Sequence, residues 1–290
     1  MPDWNEILKE ISTTPNQFDL VRRKYVANLN KLTGRNTIIY YSGWLNHTDP
    51  STAISDEDIE GFMNAIHQMN RELGLDLVLH TPGGDYHATI NHIRYLREMF
   101  GEDIRTIIPQ IAMSAGTIIA CMGKEIVMGK HSNLGPIDPH IGGVSAANIK
   151  EEFDRINNGE WPVEVVNVLL SKYPLSFLNK VEKLLELSKN DFTSILQQGM
   201  FKNEINDKDR KVEKVVESLS KSTITKSHER HLSKEECKTI GLKIIDLEGD
   251  SELQDAVLSI HHACMLTFSG AGRILKIIEN HDGKAFIKTG

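Results

Sequence analysis

Residues 75–117 read LDLVLHTPGGDYHATINHIRYLREMFGEDIRTIIPQIAMSAGT, and their pattern sets the architecture. Leu75–Leu79 is an apolar run of strand length, stopped by Thr81-Pro82-Gly83-Gly84. His87–Phe100 is amphipathic, with Ile90, Ile93, Leu96 and Phe100 at helical spacing. Ile104–Ile108 is a further strand, stopped by Pro109, and Ser114–Met122 is a short apolar helix. Strand, helix, strand and helix in this order imply a parallel sheet with right-handed crossovers.

The same alternation extends outward. Thr37–Tyr41 reads as a buried strand, and Asp56–Leu73 as one helix carrying Ile59, Phe62, Met63, Ile66 and Met69 on a face. Glu125–Met128 is a fourth strand. Residues 1–33 are helical by the recurrence of Trp4, Ile7, Leu8 and Ile11, then Phe18, Val21, Tyr25 and Leu29. They suggest an N-terminal arm, residues 1–35, before a main domain at 36–290. Beyond His140 the chain turns mainly helical, with Phe177–Met200 and Asp207–Ser220 as its longest stretches. A short helix at Ser233–Gly241, a strand at Leu242–Leu247, a helix at Leu253–Met265 and a final strand near Ala285–Ile287 follow, with the turn Asn280–Gly283 before the last.

Bulk properties narrow the function classes. The chain has 290 residues, 40% hydrophobic and 25% charged, with a formal charge of −7. That is the balance of a soluble globular protein, and the acidic sum gives no support to a nucleic-acid partner. No apolar run is long enough for an integral membrane segment, and no signal peptide is visible at MPDWNEILKEI. Cys121, Cys237 and Cys264 are odd in number and widely spaced, which argues for a reducing, cytoplasmic setting. His261 and His262 are adjacent, so on a helix they point about 100° apart and form no ligand pair. No metal is expected.

Two loops carry the chemistry. His80-Thr81-Pro82-Gly83-Gly84-Asp85 follows a strand, and Ala112-Met113-Ser114-Ala115-Gly116-Thr117 precedes a helix. One strand–helix–strand unit separates them, so neighbouring strands deliver both to one edge of the sheet. Taken alone, the first is an ordinary turn and the serine an ordinary helix cap. Together they match what acyl transfer needs: a nucleophile on a sharp turn among small neighbours, and backbone N–H groups facing the developing oxyanion.

TPGG, AMSAGT and GKHSNLGPIDP in this order resemble the Clp protease and signal peptide peptidase A superfamily. The chain is most similar there to the SDH-type, or serine dehydrogenase, proteinases. SHERHLSKEECKTIGLKI and HHACMLTFSGAGRILKIIENHDGKAFI extend the resemblance to the C-terminus. It implies an α/β, Clp/crotonase-like fold of repeated βαβ units with a helical N-terminal arm and additional C-terminal helices. It implies a serine peptidase acting on peptide or protein substrate, without cofactor, and a homo-oligomer. Carried over residue by residue, Ser114 is the nucleophile, Gly84 and Ala115 supply the oxyanion-hole amides, and Gly83 shapes that loop.

The base stays open between residues. Where Clp proteases carry a His, this segment places Ile137, with Asp138 beside it, and His131 and His140 fall out of register. Signal peptide peptidases take a Lys from a later helix instead. Lys180 flanks the apolar face formed by Val181, Leu184, Leu185, Ser188, Phe192 and Ile195, whereas Glu182-Lys183-Leu184 is nearer to the family's pattern. Both Lys180 and Lys183 are therefore candidates. Asp138 is either an orienting carboxylate or an Asx turn before Pro139, and His228 a base, an orienter or a structural residue. The rival functions are a catalytically weak scaffold or peptide-binding protein, separated by whether a Lys reaches Ser114, and an acyl-CoA enzyme, disfavoured by the Ser-Ala-Gly turn. No Gly-x-Gly-x-x-Gly follows a strand and no pyridoxal pattern is evident, which argues against a dehydrogenase.

Overall fold

The computed structural model describes residues 3–14, 17–171, 173, 176–220 and 229–290. Its centre is a mostly parallel sheet. Strands β1 (Asn36–Ser42), β2 (Leu75–His80), β3 (Ile104–Ile108) and β5 (Glu125–Met128) lie parallel and adjacent, and β10 (Ile244–Asp246) extends them beyond β5. On the other side β11 (Ile274–Asn280) pairs antiparallel with β1, and β12 (Ala285–Thr289) pairs antiparallel with β11. Short ladders join β4 (Ile111–Ala112), β6 (Asn133–Leu134) and β9 (Leu232–Ser233), and a hairpin joins β7 (His140–Ile141) to β8 (Val144–Ser145).

Both faces of the sheet are covered, which is why its inner strands read as continuous apolar runs rather than alternating ones. Every residue of β1 and β2 is buried. Tyr40, Leu77, Leu79 and Ile108 pack on one side, under α3 (Asp58–Ile66), α4 (Tyr86–Phe100), α5 (Ala115–Ala120), α8 (Phe177–Gln198) and α9 (Lys208–Ser220). Tyr41, Val78, Ile107 and Val127 pack on the other, under α1 (Trp4–Thr13), α2 (Gln17–Thr33) and a C-terminal helix at Ser251–Gly270. The N-terminal helices thus bury Ile7, Ile11, Val26 and Leu29 against the same core as Cys264 and Phe268. A satellite core of Ala146, Ile149 and Val181 joins α6 (Ala146–Asn157) to the first half of α8, and α7 (Val163–Leu170) lies between them in sequence.

The helix expected over Asp56–Leu73 is shorter. It ends at Ile66, where Gln68 takes a φ of 67°, and a single 3-10 turn at Arg71–Leu73 follows. One distant and one local contact hold the break: the Lys284 ammonium binds the His67 carbonyl, and the Asn70 side chain accepts from the Glu72 N–H. Strand β11 carries no apolar run that marks it in sequence. Its inward positions include Lys276 and Glu279, whose charges hide the apolar pattern. Both are paired inside: Arg22 holds Glu279 at 2.6 Å and Asp58 holds Lys276 at 2.5 Å. Paired charge is the condition for such burial. Among the described residues, no helix is long and apolar enough to cross a membrane.

Candidate active site

Parallel pairing of β2 with β3 sends both chemistry-bearing loops out of the same sheet edge. They are stitched together there. Thr81 N–H donates to the Ile111 carbonyl at 3.2 Å, and Met113 N–H donates to the Thr81 carbonyl at 3.0 Å. Ser114 follows at once, with φ 53° and ψ −120°. A non-glycine residue at positive φ is strained, and such strain persists only where the surroundings impose it. Here the surroundings are the Met113 carbonyl, held by Gly116 N–H at 2.8 Å, and the Ser114 carbonyl, held by Thr117 N–H at 2.8 Å. The result is a serine at the tip of a tight turn, at the N-terminal end of the short helix α5. Among the described residues its hydroxyl has no hydrogen-bond partner.

The glycine loop faces this turn at close range. A Cβ on Gly83 would sit 2.9 Å from the Ser114 Cβ and 2.7 Å from the Met113 carbonyl oxygen. A Cβ on Gly84 would fall onto the backbone of Ile54, within 2.8 Å of its Cα. Their φ values of 95° and 156° add a second reason for glycine at both positions. Ile54 N–H donates to the Gly83 carbonyl at 2.8 Å, and its carbonyl accepts from Asp85 N–H at 2.9 Å. The bridge therefore uses the neighbours of Gly84. Among the described residues, the N–H groups of Gly84 and Ala115 donate to no protein acceptor.

A cleft of 680 Å³ opens at this point, lined by Gly83, Gly84, Ser114 and Ala115 together with Ile137, Asp138 and Lys180. Thr117 fixes the far wall: its hydroxyl accepts from Gly135 N–H at 3.0 Å and lies 2.9 Å from the Gly135 carbonyl. Ile137 N–H, in turn, donates to the Leu219 carbonyl of α9 at 3.0 Å. Ile137 and Asp138 are both buried, and the Asp138 carbonyl is engaged by His140 Nδ1 at 3.1 Å.

Of the two lysine candidates, Lys180 lines the cleft and Lys183 does not. Both side chains are exposed. Lys180 shares its helical face with Leu184, one turn on, which also lines the cleft. Among the described residues the Lys180 ammonium has no hydrogen-bond or ion-pair partner, Ser114 included. His228 lies outside the described residues.

Sequence pattern assigns no role to Tyr86, His87 or Ala53, which line the cleft. Tyr86 reaches from the start of α4 to α8, donating to Asp191 at 2.5 Å, and so sets the distance between the glycine loop and the helix of Lys180. Burial and the Asp191 carboxylate push its phenol well above the ordinary value. His87 and the wall residue Ala53 also border the cleft. Only the position of His87, the second residue of a helix that begins at the glycine loop, is a usable signal. His140, dismissed on register, also borders the cleft.

Elsewhere, His261 contacts Tyr41 and His80 while His262 meets Trp4, so the adjacent histidines point into different surroundings. Among the described residues no three His, Cys, Asp or Glu side chains gather as a metal site. All three cysteines are free and buried, and burial pushes the Cys237 thiol up to about 12.

A mostly parallel sheet flanked by helices, with a strained serine turn against a glycine loop, fits a ClpP-like fold. The family model for ClpP-like SDH-type serine proteinases matches residues 51–255, and the chain belongs to that family. It is also 29% identical over 191 residues to an uncharacterized protein of Methanocaldococcus jannaschii, covering 66% of this chain and 59% of that protein. A second uncharacterized protein of the same organism is 35% identical over 102 residues, 35% of each chain. The chain thus spans less than two thirds of the length of these relatives.

Proposed function

We propose that this chain is a serine endopeptidase in which Ser114 forms an acyl-enzyme and Lys180 serves as general base. The observation that carries the reading is the strained Ser114 turn, set against unbonded Gly84 and Ala115 amides, in a cleft that also contains Lys180. Lys180 takes the Ser114 proton as Oγ attacks the peptide carbonyl. The Gly84 and Ala115 N–H groups hold the resulting oxyanion, and Gly83 keeps that loop close to the serine. Lys180 then gives the proton to the leaving amine; the Lys180 amine next deprotonates a water molecule that attacks the acyl carbon, and it returns that proton to Ser114 Oγ as the acid product leaves. No cofactor enters these steps.

A lysine is an effective base only when desolvated. Lys180 is exposed in the free chain, so closure of the cleft by bound peptide or by a neighbouring subunit is part of the proposal. Exposed Val163, Val168 and Leu170 on α7 favour such self-association. Asp138 is proposed to orient groups at the cleft wall. Lys183, which does not line the cleft, is the alternative base. The proposal includes a cytoplasmic setting and a core built as the Clp/crotonase-like repeat of βαβ units.

The test is digestion of an unfolded protein, followed by sequencing of the new N-termini. Wild type is expected to cleave, Ser114→Ala and Lys180→Met to lose cleavage, and Lys183→Met to keep it. Loss in Lys183→Met alone reassigns the base. No cleavage by well-folded wild type, with peptide still bound, replaces the enzyme by a scaffold.

A further inference from the structure

Behind the glycine loop lies a polar assembly that this mechanism does not use. Lys276 of β11 and Asp58 of α3 have no exposed side-chain surface, and Nζ stands 2.5 Å from Oδ1. The same ammonium donates to the Ala53 carbonyl at 2.7 Å. The second carboxylate oxygen of Asp58 accepts from the Tyr40 hydroxyl at 2.7 Å and from Ser55 N–H at 3.0 Å. An apolar pair of similar shape would fill this space without the cost of desolvating two charges. What the ions add is a fixed backbone.

That backbone is residues 52–55. The Ser42 hydroxyl donates to the Thr52 carbonyl at 2.7 Å, and His92 Nε2 lies 3.0 Å from the Ser55 carbonyl. Lys276 and Asp58 hold the two peptide groups between these anchors. Ile54, in the middle, gives both of its backbone hydrogen bonds to the glycine loop. Because those bonds go to Gly83 and Asp85, the N–H of Gly84 is left on the side away from Ile54.

We propose that Lys276 and Asp58 are positioning residues: they lock residues 53–55, and residues 53–55 lock the Gly83–Gly84 turn that presents the oxyanion-binding amide. The catalytic consequence rests on the serine-peptidase reading, whereas the mechanical coupling does not.

The experiment is amide hydrogen exchange on the full chain, joined to the rate of Ser114 phosphonylation by a fluorophosphonate. The variants are Lys276→Met and Lys276→Met/Asp58→Asn, the second removing both charges so that no lone ion stays buried. Arg22→Met, which breaks the neighbouring buried pair with Glu279, is the control for general destabilisation. Both Lys276 variants are expected to speed exchange at the Ile54 and Asp85 amides at least about 10-fold, a change absent in Arg22→Met. Their maximal phosphonylation rate is expected to fall about 10- to 100-fold at unchanged half-saturation, as for a displaced oxyanion donor. Unchanged exchange at Ile54 and Asp85 overturns the coupling whether or not Ser114 reacts. Faster exchange with an unchanged phosphonylation rate overturns the catalytic consequence. An unreactive wild-type serine defeats the peptidase reading and leaves the exchange result to decide the coupling. Unfolding of both Lys276 variants while Arg22→Met stays folded also overturns it, since the role would then be global.

Discussion

Gly84→Ala is the substitution with the most specific consequences. The new methyl would meet the Ile54 backbone, which cannot rotate away as a side chain could. Relief requires the glycine loop to leave Ile54, and that breaks the hydrogen bonds at 2.8 and 2.9 Å. Two backbone hydrogen bonds are worth about 1 kcal/mol each. The unfavourable φ adds about 1 kcal/mol more for a residue with a Cβ. The total is about 3 kcal/mol of destabilisation. Gly101→Ala is the comparison: its φ is 62° and nothing lies within 4 Å of the added methyl. That variant is expected to lose only about 1 kcal/mol. Urea unfolding followed by tryptophan fluorescence reads the difference as a midpoint shift at constant slope. In parallel, phosphonylation of Ser114 is expected to slow about 100- to 1000-fold in Gly84→Ala and to stay unchanged in Gly101→Ala. Equal stability losses in the two variants would refute the reasoning from the Ile54 contact. A normal labelling rate in Gly84→Ala would refute the role given to its amide.

Other expectations follow from the strained serine and from the buried histidines. Ser114→Gly removes a positive-φ side chain and is expected to raise stability by about 1 kcal/mol, about 2–4 °C in Tm for a domain of this size, while Ser114→Ala keeps the strain and the wild-type Tm; thermal unfolding of the pair checks this, and equal values contradict it. His80 is fully buried between Ser42 and Gln110, and burial holds its pKa down to about 4. An unfolded histidine binds its proton near pH 6.5. Between about pH 6.5 and 4 the unfolded chain therefore holds more protons, and stability falls with falling pH by about 3 kcal/mol at most from this residue. His261 and His262, also held below the ordinary value by burial, act in the same sense. Tm measured from pH 7.5 to 5 is expected to fall, with a shallower slope in His80→Gln; an unchanged slope contradicts the assignment.

Period and punctuation made most of the sheet legible. The apolar runs at Thr37–Tyr41, Leu75–Leu79, Ile104–Ile108 and Glu125–Met128 are strands because burial on both faces leaves no polar alternation. Strand β11 escaped because Lys276 and Glu279 look like surface residues until their partners, far away in sequence, are in place. The long helix expected through Leu73 is overdrawn: past Ile66 the chain turns at Gln68, with φ 67°, and the ammonium of Lys284, distant in sequence, takes the His67 carbonyl.

Proximity of the two loops was readable from their spacing, since adjacent parallel strands must deliver them to one edge. Their support was not readable. Ala53 borders the cleft, and Ile54 bridges to the glycine loop, only through tertiary pairing, and Tyr86 stands just before the helical pattern that begins at His87, with nothing local to show that its hydroxyl meets Asp191. Helical angle places Lys180 beside the apolar face and the local sequence pattern points to Lys183; Lys180 is the one that lines the cleft.

The decisive measurement is the intact mass of the folded chain after incubation with a fluorophosphonate, beside Ser114→Ala. An activated serine yields one adduct on the wild type and none on the variant, with the modified peptide containing Ser114. No adduct on folded wild type, or an adduct that persists in Ser114→Ala, would contradict the assignment of Ser114 as the nucleophile.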